Sequence, residues 1–312
     1  MRRFLLELSL YAIAAFVLAA VMDRMVCTGL LKMEDYRFQD YAAMLQGGME
    51  HDILIMGNSR GKSHYDTALI DSLAHVSSFC IGAGGYPLPI QQLKYHLYRE
   101  HNQKPRVIIE DIDFMCFRDI DDIRHQHQSE QFFPLVYDPT MRQELKRFGY
   151  GFMELNIPMF RMYGYQQVIK NGLLEALHLK HYVSRPAYKG HRAEEGDWNG
   201  EELRKMSADS ILTEASVQKM FVDFLEQCAK DSIQVVLVHS PVYFEAKEKL
   251  IGLDSLRSYF ANTAEKYGTL YLDYLDHPIS LDSNNFCVAI HMNPDATQAF
   301  TEQLCQDLAI FE

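Results

Sequence analysis

A serine in the turn Gly57-Asn58-Ser59-Arg60 and a histidine in His291-Met292-Asn293-Pro294 have the types and settings that suit nucleophilic chemistry. A serine hydroxyl is a poor nucleophile at neutral pH until a neighbouring base takes its proton, and histidine is the usual base. Ser59 follows the apolar run Ile53-Leu54-Ile55-Met56, which reads as a buried strand feeding a tight turn. Such a turn presents a serine to solvent and can aim backbone N–H groups at developing oxyanion charge. Taken singly, Ser59 would serve as a helix cap and His291, one of 13 histidines, as a loop residue. The pair carries more than either member.

The elements that must position them follow from hydrophobic periodicity. Short apolar runs recur at 52–56, 76–81, 106–112, 233–239 and 269–272, alternating with helical patterns such as 88–100, 216–230 and 255–267. Met33 to Leu45 reads as a further short helix. Buried strands alternating with amphipathic helices predict an α/β protein, a flavodoxin-like three-layer sandwich whose parallel sheet has about five strands. Ligands of such sheets bind at the carboxyl ends of the strands, where Ser59 lies. Asn293 and Pro294 read as N-cap and first residue of a last helix that carries Ala296, Phe300, Leu304 and Leu308 at four-residue spacing. A largely helical insertion, at about 114–210, separates the third and fourth strands. No repeat and no Ser/Pro linker marks a second independent domain.

Phe4 to Met22 is apolar apart from Glu7, Ser9 and Tyr11 and follows Arg2 and Arg3. It comes close to the ~20 residues that cross a hydrocarbon core. Residues 1–27 therefore read as an uncleaved membrane anchor, and residues 28–312 as the body, placed outside the cytoplasm by the positive-inside rule. A signal peptide cut near Ala19-Ala20 and a buried core helix are the competing readings. A formal charge of −12 and the lack of a basic run exclude general nucleic-acid binding. The six cysteines are dispersed with no C-x-x-C, which excludes a zinc ribbon or a thioredoxin-like motif and leaves any pairing open.

The chain after the anchor resembles the SGNH/GDSL hydrolase superfamily, in particular membrane-anchored members such as the alginate O-acetylation and teichoic-acid D-alanylation proteins. The resemblance rests on Ile53 to Arg60, on Ile81-Gly82-Ala83-Gly84-Gly85, on Val107 to Asp113 and on His291 to Ala296. It implies Ser59 as nucleophile, His291 as general base, and backbone N–H groups of Ser59 and Gly84 as the oxyanion site. It further implies an extracytoplasmic esterase or O-acyltransferase acting on an acylated glycan, with a membrane-bound O-acyltransferase as partner. Two positions depart from the family. Glu110, Asp111 and Asp113 stand where an oxyanion-hole Asn is usual, and Val288 stands where an Asp usually orients the histidine. Asp113 and Asp282 are the leading candidates to replace that Asp, with Asp295 or a backbone carbonyl behind them, and a degenerate protein that binds glycan or aids assembly is the alternative.

Other residues fill out this reading. Arg60, beside the serine, suits an anionic substituent of the substrate or a plain surface role. His239 ends the fourth strand on the same edge and lines the pocket or packs beneath it. Arg124-His125-Gln126-His127 with Asp121 and Asp122 has the types of a metal site but reads as a polar loop; the serine chemistry itself needs no metal and no organic cofactor. Tyr163, Tyr165, Tyr182, Tyr188 and Trp198 stack on sugars or form core.

Overall fold

A computed structural model describes residues 1–198 and 200–308. The N-terminal region forms α1 (Arg2–Leu30) and α2 (Tyr36–Gln46). Then come β1 (Ile53–Gly57), α3 (Ser59–Ser63), α4 (Thr67–Ala74), β2 (Ser78–Cys80), α5 (Leu88–His101) and β3 (Val107–Asp111). The segment before the fourth core strand carries α6 (Pro139–Arg147), α7 (Phe152–Asn156), α8 (Gln166–Ala176), α9 (Glu201–Lys205) and α10 (Ala215–Lys230). The chain closes with β4 (Gln234–His239), α11 (Phe244–Lys247), α12 (Leu253–Tyr267), β5 (Leu270–Asp273), the short pair β6 (Phe286–Val288) and β7 (His291–Met292), and α13 (Pro294–Leu308).

By internal packing the chain divides into two compact units. One comprises Met44–Asp119 and the chain from Ala187 onward, and it contains the five-stranded sheet, ordered β2-β1-β3-β4-β5 with every pair parallel. This is the expected flavodoxin-like order, whose winding reverses between β1 and β3 and opens a crevice at the carboxyl ends there. β1 is buried throughout, which is why it reads as an unbroken apolar run. On one face Ile53, Ile55, Ile109, Val236 and Val238 pack with Ile70 of α4 and with Ala296, Phe300, Leu304 and Leu308 of α13. Opposite them lies an aromatic layer in which Tyr95 of α5 meets Phe224 of α10 edge-on at 5.4 Å and Phe221 meets Phe260 of α12 at 5.5 Å.

Asn293 caps α13 as expected, its side chain accepting from Ala296 N–H at 3.0 Å. β2 is shorter than the run 76–81 because it is an edge. Its Cys80 N–H donates to Lys189 O at 2.9 Å, and the Lys189 ammonium pairs with Asp71. Gly190 (φ +79°) lies so close that a Cβ would sit 1.7 Å from Cys80 O. The segment after Ala187 thus covers a strand edge that would otherwise be free to pair.

The other unit joins Met1–Ala43 to Ile120–Pro186. Here the boundaries differ from the expected anchor at 1–27 and insertion at about 114–210. The C-terminal end of α1 is built into the insertion, because two glycines let α1 and α8 touch: a Cβ on Gly29 would lie 1.8 Å from Gly172 O. Val26, Cys27, Leu30, Met33 and Phe38 form a core with Phe133 and Met162. Asp23, buried in α1, pairs with Arg161 at 2.5 Å and accepts from Tyr137 Oη and Met159 N–H. α1 is long and apolar enough to cross a membrane, a test that a signal sequence also passes. All six cysteines are unpaired thiols, and all but Cys305 are buried.

Candidate active site

The turn after β1 is built for close approach. Gly57 has φ +128°, and a Cβ there would lie 2.8 Å from Asp111 Cβ on the neighbouring strand, so only glycine fits. Asn58 caps α3, its Oδ1 accepting from Arg60 N–H at 2.9 Å while its Nδ2 donates to Asp113 Oδ2. Gly61 lets α3 lie against the end of β1, where a Cβ would meet Met56 O at 2.5 Å. Ser59, at the first position of α3, is left half-buried at the carboxyl end of the sheet.

His291 is carried in by β7, which pairs antiparallel with β6 through an irregular register that sets Val288 opposite it. Its Nε2 lies 2.8 Å from Ser59 Oγ, although the two residues are 232 positions apart. With the imidazole neutral and its hydrogen on Nδ1, Nε2 accepts the serine hydroxyl hydrogen. Burial, then Arg60 and Arg192, push the His291 pKa down to about 4. Among the described residues no carboxylate bonds to His291.

Sequence reasoning passed over His64, which sits at the C-cap of α3, just beyond the helix that begins with Ser59. It is buried, and its Nε2 accepts the Met292 N–H at 3.1 Å. That assignment leaves the hydrogen on Nδ1, which donates to Ser240 Oγ at 2.9 Å. His64 thereby ties the serine helix to the histidine strand, and its ring meets that of His291 edge-on at 6.1 Å. Burial, then the nearby His291 and Arg60, hold His64 neutral, well below the usual histidine range. A histidine so soon after Ser59, at the cap that closes the helix the serine opens, was the available signal.

The remaining nominated residues fall as follows. Gly84 lies in a turn closed by Tyr86 N–H to Ala83 O at 3.0 Å, and Ala83 N–H to Gly57 O at 2.8 Å holds that turn beside the end of β1. Asp113 accepts from Asn58 and from Met115 N–H at 2.8 Å, so it steadies the serine turn. Burial raises its pKa to about 6 against the opposing pull of Arg60. Asp282 caps a short turn through Asn284 N–H at 2.9 Å.

Arg60 and His239 require correction as substrate-binding residues, for both are sealed inside. Arg60 donates to Ile112 O at 2.8 Å and Ser240 O at 3.3 Å and faces Asp111 at 3.4 Å, because α3 turns its second residue onto the sheet edge. Asp111 also accepts from Tyr65 Oη at 2.6 Å. The alternation of β4 points His239 into the aromatic layer, where Nδ1 meets Tyr271 Oη at 2.9 Å. Glu110 is buried with neither oxygen hydrogen-bonded, and burial keeps it protonated well above the usual carboxylate range.

Arg124 bonds to Asp122 at 2.7 Å and Glu154 at 3.1 Å, an ion-paired turn. Tyr165, Tyr182 and Trp198 pack against cores, whereas Tyr163 and Tyr188 are exposed.

No family model matches the chain, and no curated protein does. A solved structure similar to it is that of a "putative acylhydrolase" from Bacteroides fragilis, 13% identical, covering 87% of this chain and 94% of that one with a TM-score of 0.37.

Proposed function

We propose that the chain is a membrane-anchored, extracytoplasmic serine esterase or O-acyltransferase that acts on an acylated glycan. The observation that carries this reading is the 2.8 Å contact between Ser59 Oγ and His291 Nε2 at the carboxyl edge of the sheet. His291 Nε2 takes the Ser59 proton as Oγ attacks the acyl carbon, and the tetrahedral oxyanion is received by the N–H groups of Ser59 and Gly84. The proton passes to the departing sugar oxygen, leaving acyl-Ser59. Water or an acceptor hydroxyl, deprotonated by the same Nε2, then takes the acyl group and frees the serine. The steps up to acyl-Ser59 are common to hydrolysis and transfer; a membrane-bound O-acyltransferase as partner fits transfer. Arg2 and Arg3 before the apolar stretch favour a cytoplasmic N-terminus and an exported body.

A second reading has one specific observation behind it. His291 is a weak base with no carboxylate partner among the described residues, as in a degenerate protein that binds glycan or serves assembly. Treating the full chain with a serine-reactive fluorophosphonate and mapping the adduct by mass spectrometry separates the two. An adduct on Ser59 that is lost in both Ser59→Ala and His291→Ala supports the enzyme. A folded wild type that takes no adduct leaves the binding role.

A further inference from the structure

A cavity of about 760 Å³ opens in the unit that contains α1, lined by Ile157, Met159, Phe160, Met162, Tyr163 and Ile169 among others. Its position along α1 follows from one contact set. Asp23, the first charged residue after the apolar stretch, is held by Met159 N–H and by the guanidinium of Arg161, both from residues that line the cavity. The fold begins to cover α1 at Ala19, inside that stretch. At ~1.5 Å rise per residue, Ala19 lies about one turn from Asp23. The cavity therefore stands at the level where the apolar part of α1 ends.

Two further features select the occupant. The rim carries two uncovered aromatics, Phe160 at 42% and Tyr163 at 90% exposure, beside the exposed His125 and Gln166, in the same unit as the equally bare apolar stretch of α1. Both guanidiniums at the cavity are already paired: Arg124 with Asp122 and Glu154, Arg161 with Asp23. What the cavity offers is apolar volume beside a membrane-spanning helix, with no free guanidinium to hold a phosphate. We propose that it takes one acyl chain of a bilayer lipid, with Phe160 and Tyr163 seated at the boundary between headgroups and acyl chains. This rests on α1 spanning the membrane, but not on the serine chemistry.

The test uses the full chain in nanodiscs of phosphatidylcholine that carries a diazirine in one acyl chain, with photoadducts mapped by peptide mass spectrometry. Adducts are expected on 157–169 as well as on α1. Ile157→Trp, which fills the cavity, and Tyr163→Asp, at an exposed position that leaves the core intact, should each lower the former about ten-fold while leaving the α1 adducts unchanged. Adducts confined to α1, or adducts on 157–169 that neither variant lowers, overturn the inference while the span stands. No adducts on α1 overturn the span and the inference together. A photoreactive residue at 163 that captures a protein in native membranes, in place of lipid, also overturns it.

Discussion

If His291 is the base, the labelling of Ser59 has a pH dependence set by the burial of that imidazole. Its pKa is pushed down to about 4, first by desolvation and then by Arg60 and Arg192. An unperturbed histidine titrates near 6.5, so the shift is worth about 3 kcal/mol of proton affinity. The base is the neutral form, and the lowered pKa keeps it populated into acid. With a pKa of about 4, about 90% of His291 is neutral at pH 5, against ~3% for an ordinary histidine. The fluorophosphonate rate at Ser59 should therefore hold to within about 10% between pH 8 and pH 5, then fall by half near pH 4. Absolute rates should be slow, because a weak base draws the serine proton weakly. Stopped-time labelling read by intact mass supplies the profile, with circular dichroism at each pH to show that the fold persists. A midpoint near 6.5 or above would refute this reasoning, since it would require His291 to be solvated or paired with a carboxylate.

Three other outcomes follow from the same geometry. Gly57→Ala should lower stability by about 2–3 kcal/mol in denaturant unfolding, because a Cβ at φ +128° meets Asp111; a loss below ~0.5 kcal/mol would show that the turn relaxes freely. Glu110 is protonated in the fold and ionised when unfolded above its ordinary pKa, so the folded state binds the extra proton and stability falls as pH rises above 4.5. Glu110→Gln should thus raise the melting temperature more at pH 8 than at pH 4, and an offset equal at both would contradict the assignment. His64→Phe removes the acceptor of the buried Met292 N–H, which should cost about 1–3 kcal/mol and slow Ser59 labelling at least about ten-fold without moving its pH midpoint; labelling at the wild-type rate would show that His64 does not position β7.

The five-stranded sheet was legible because its information is local. A buried parallel strand such as β1 needs an apolar run, and α13 announces itself through Asn293, Pro294 and one apolar line. The approach of Ser59 and His291 could be anticipated from topology, since β1 ends at the crevice and α13 begins there. What escaped was set by tertiary packing. β6 and β7 are too short and irregular to show a period, so nothing in the sequence placed Val288 opposite His291. Arg60 looked exposed beside the serine, but the tight seating of α3 on β1 turns it onto Asp111. His64 has only its closeness to Ser59 to announce it, because its role lies in bonds to Ser240 and Met292, residues 176 and 228 positions away. The union of α1 with the insertion depends on Gly29 meeting Gly172, a pairing without a local pattern.

The unpaired cysteines bear on how such a chain would mature. Five of the six thiols are buried, on α1, β2, α10, β6 and the loop after β3, so the finished fold keeps them from oxidants and from one another. On the exported side of a membrane, an unfolded copy would expose all of them to disulfide exchange, with fifteen ways to pair. Maturation then becomes a race between burial and oxidation, and a copy that loses it is trapped by wrong crosslinks. Export in such a compartment favours sequences that close their core quickly, and the rate at which the buried thiols react with an alkylating agent times the opening of each element that carries one.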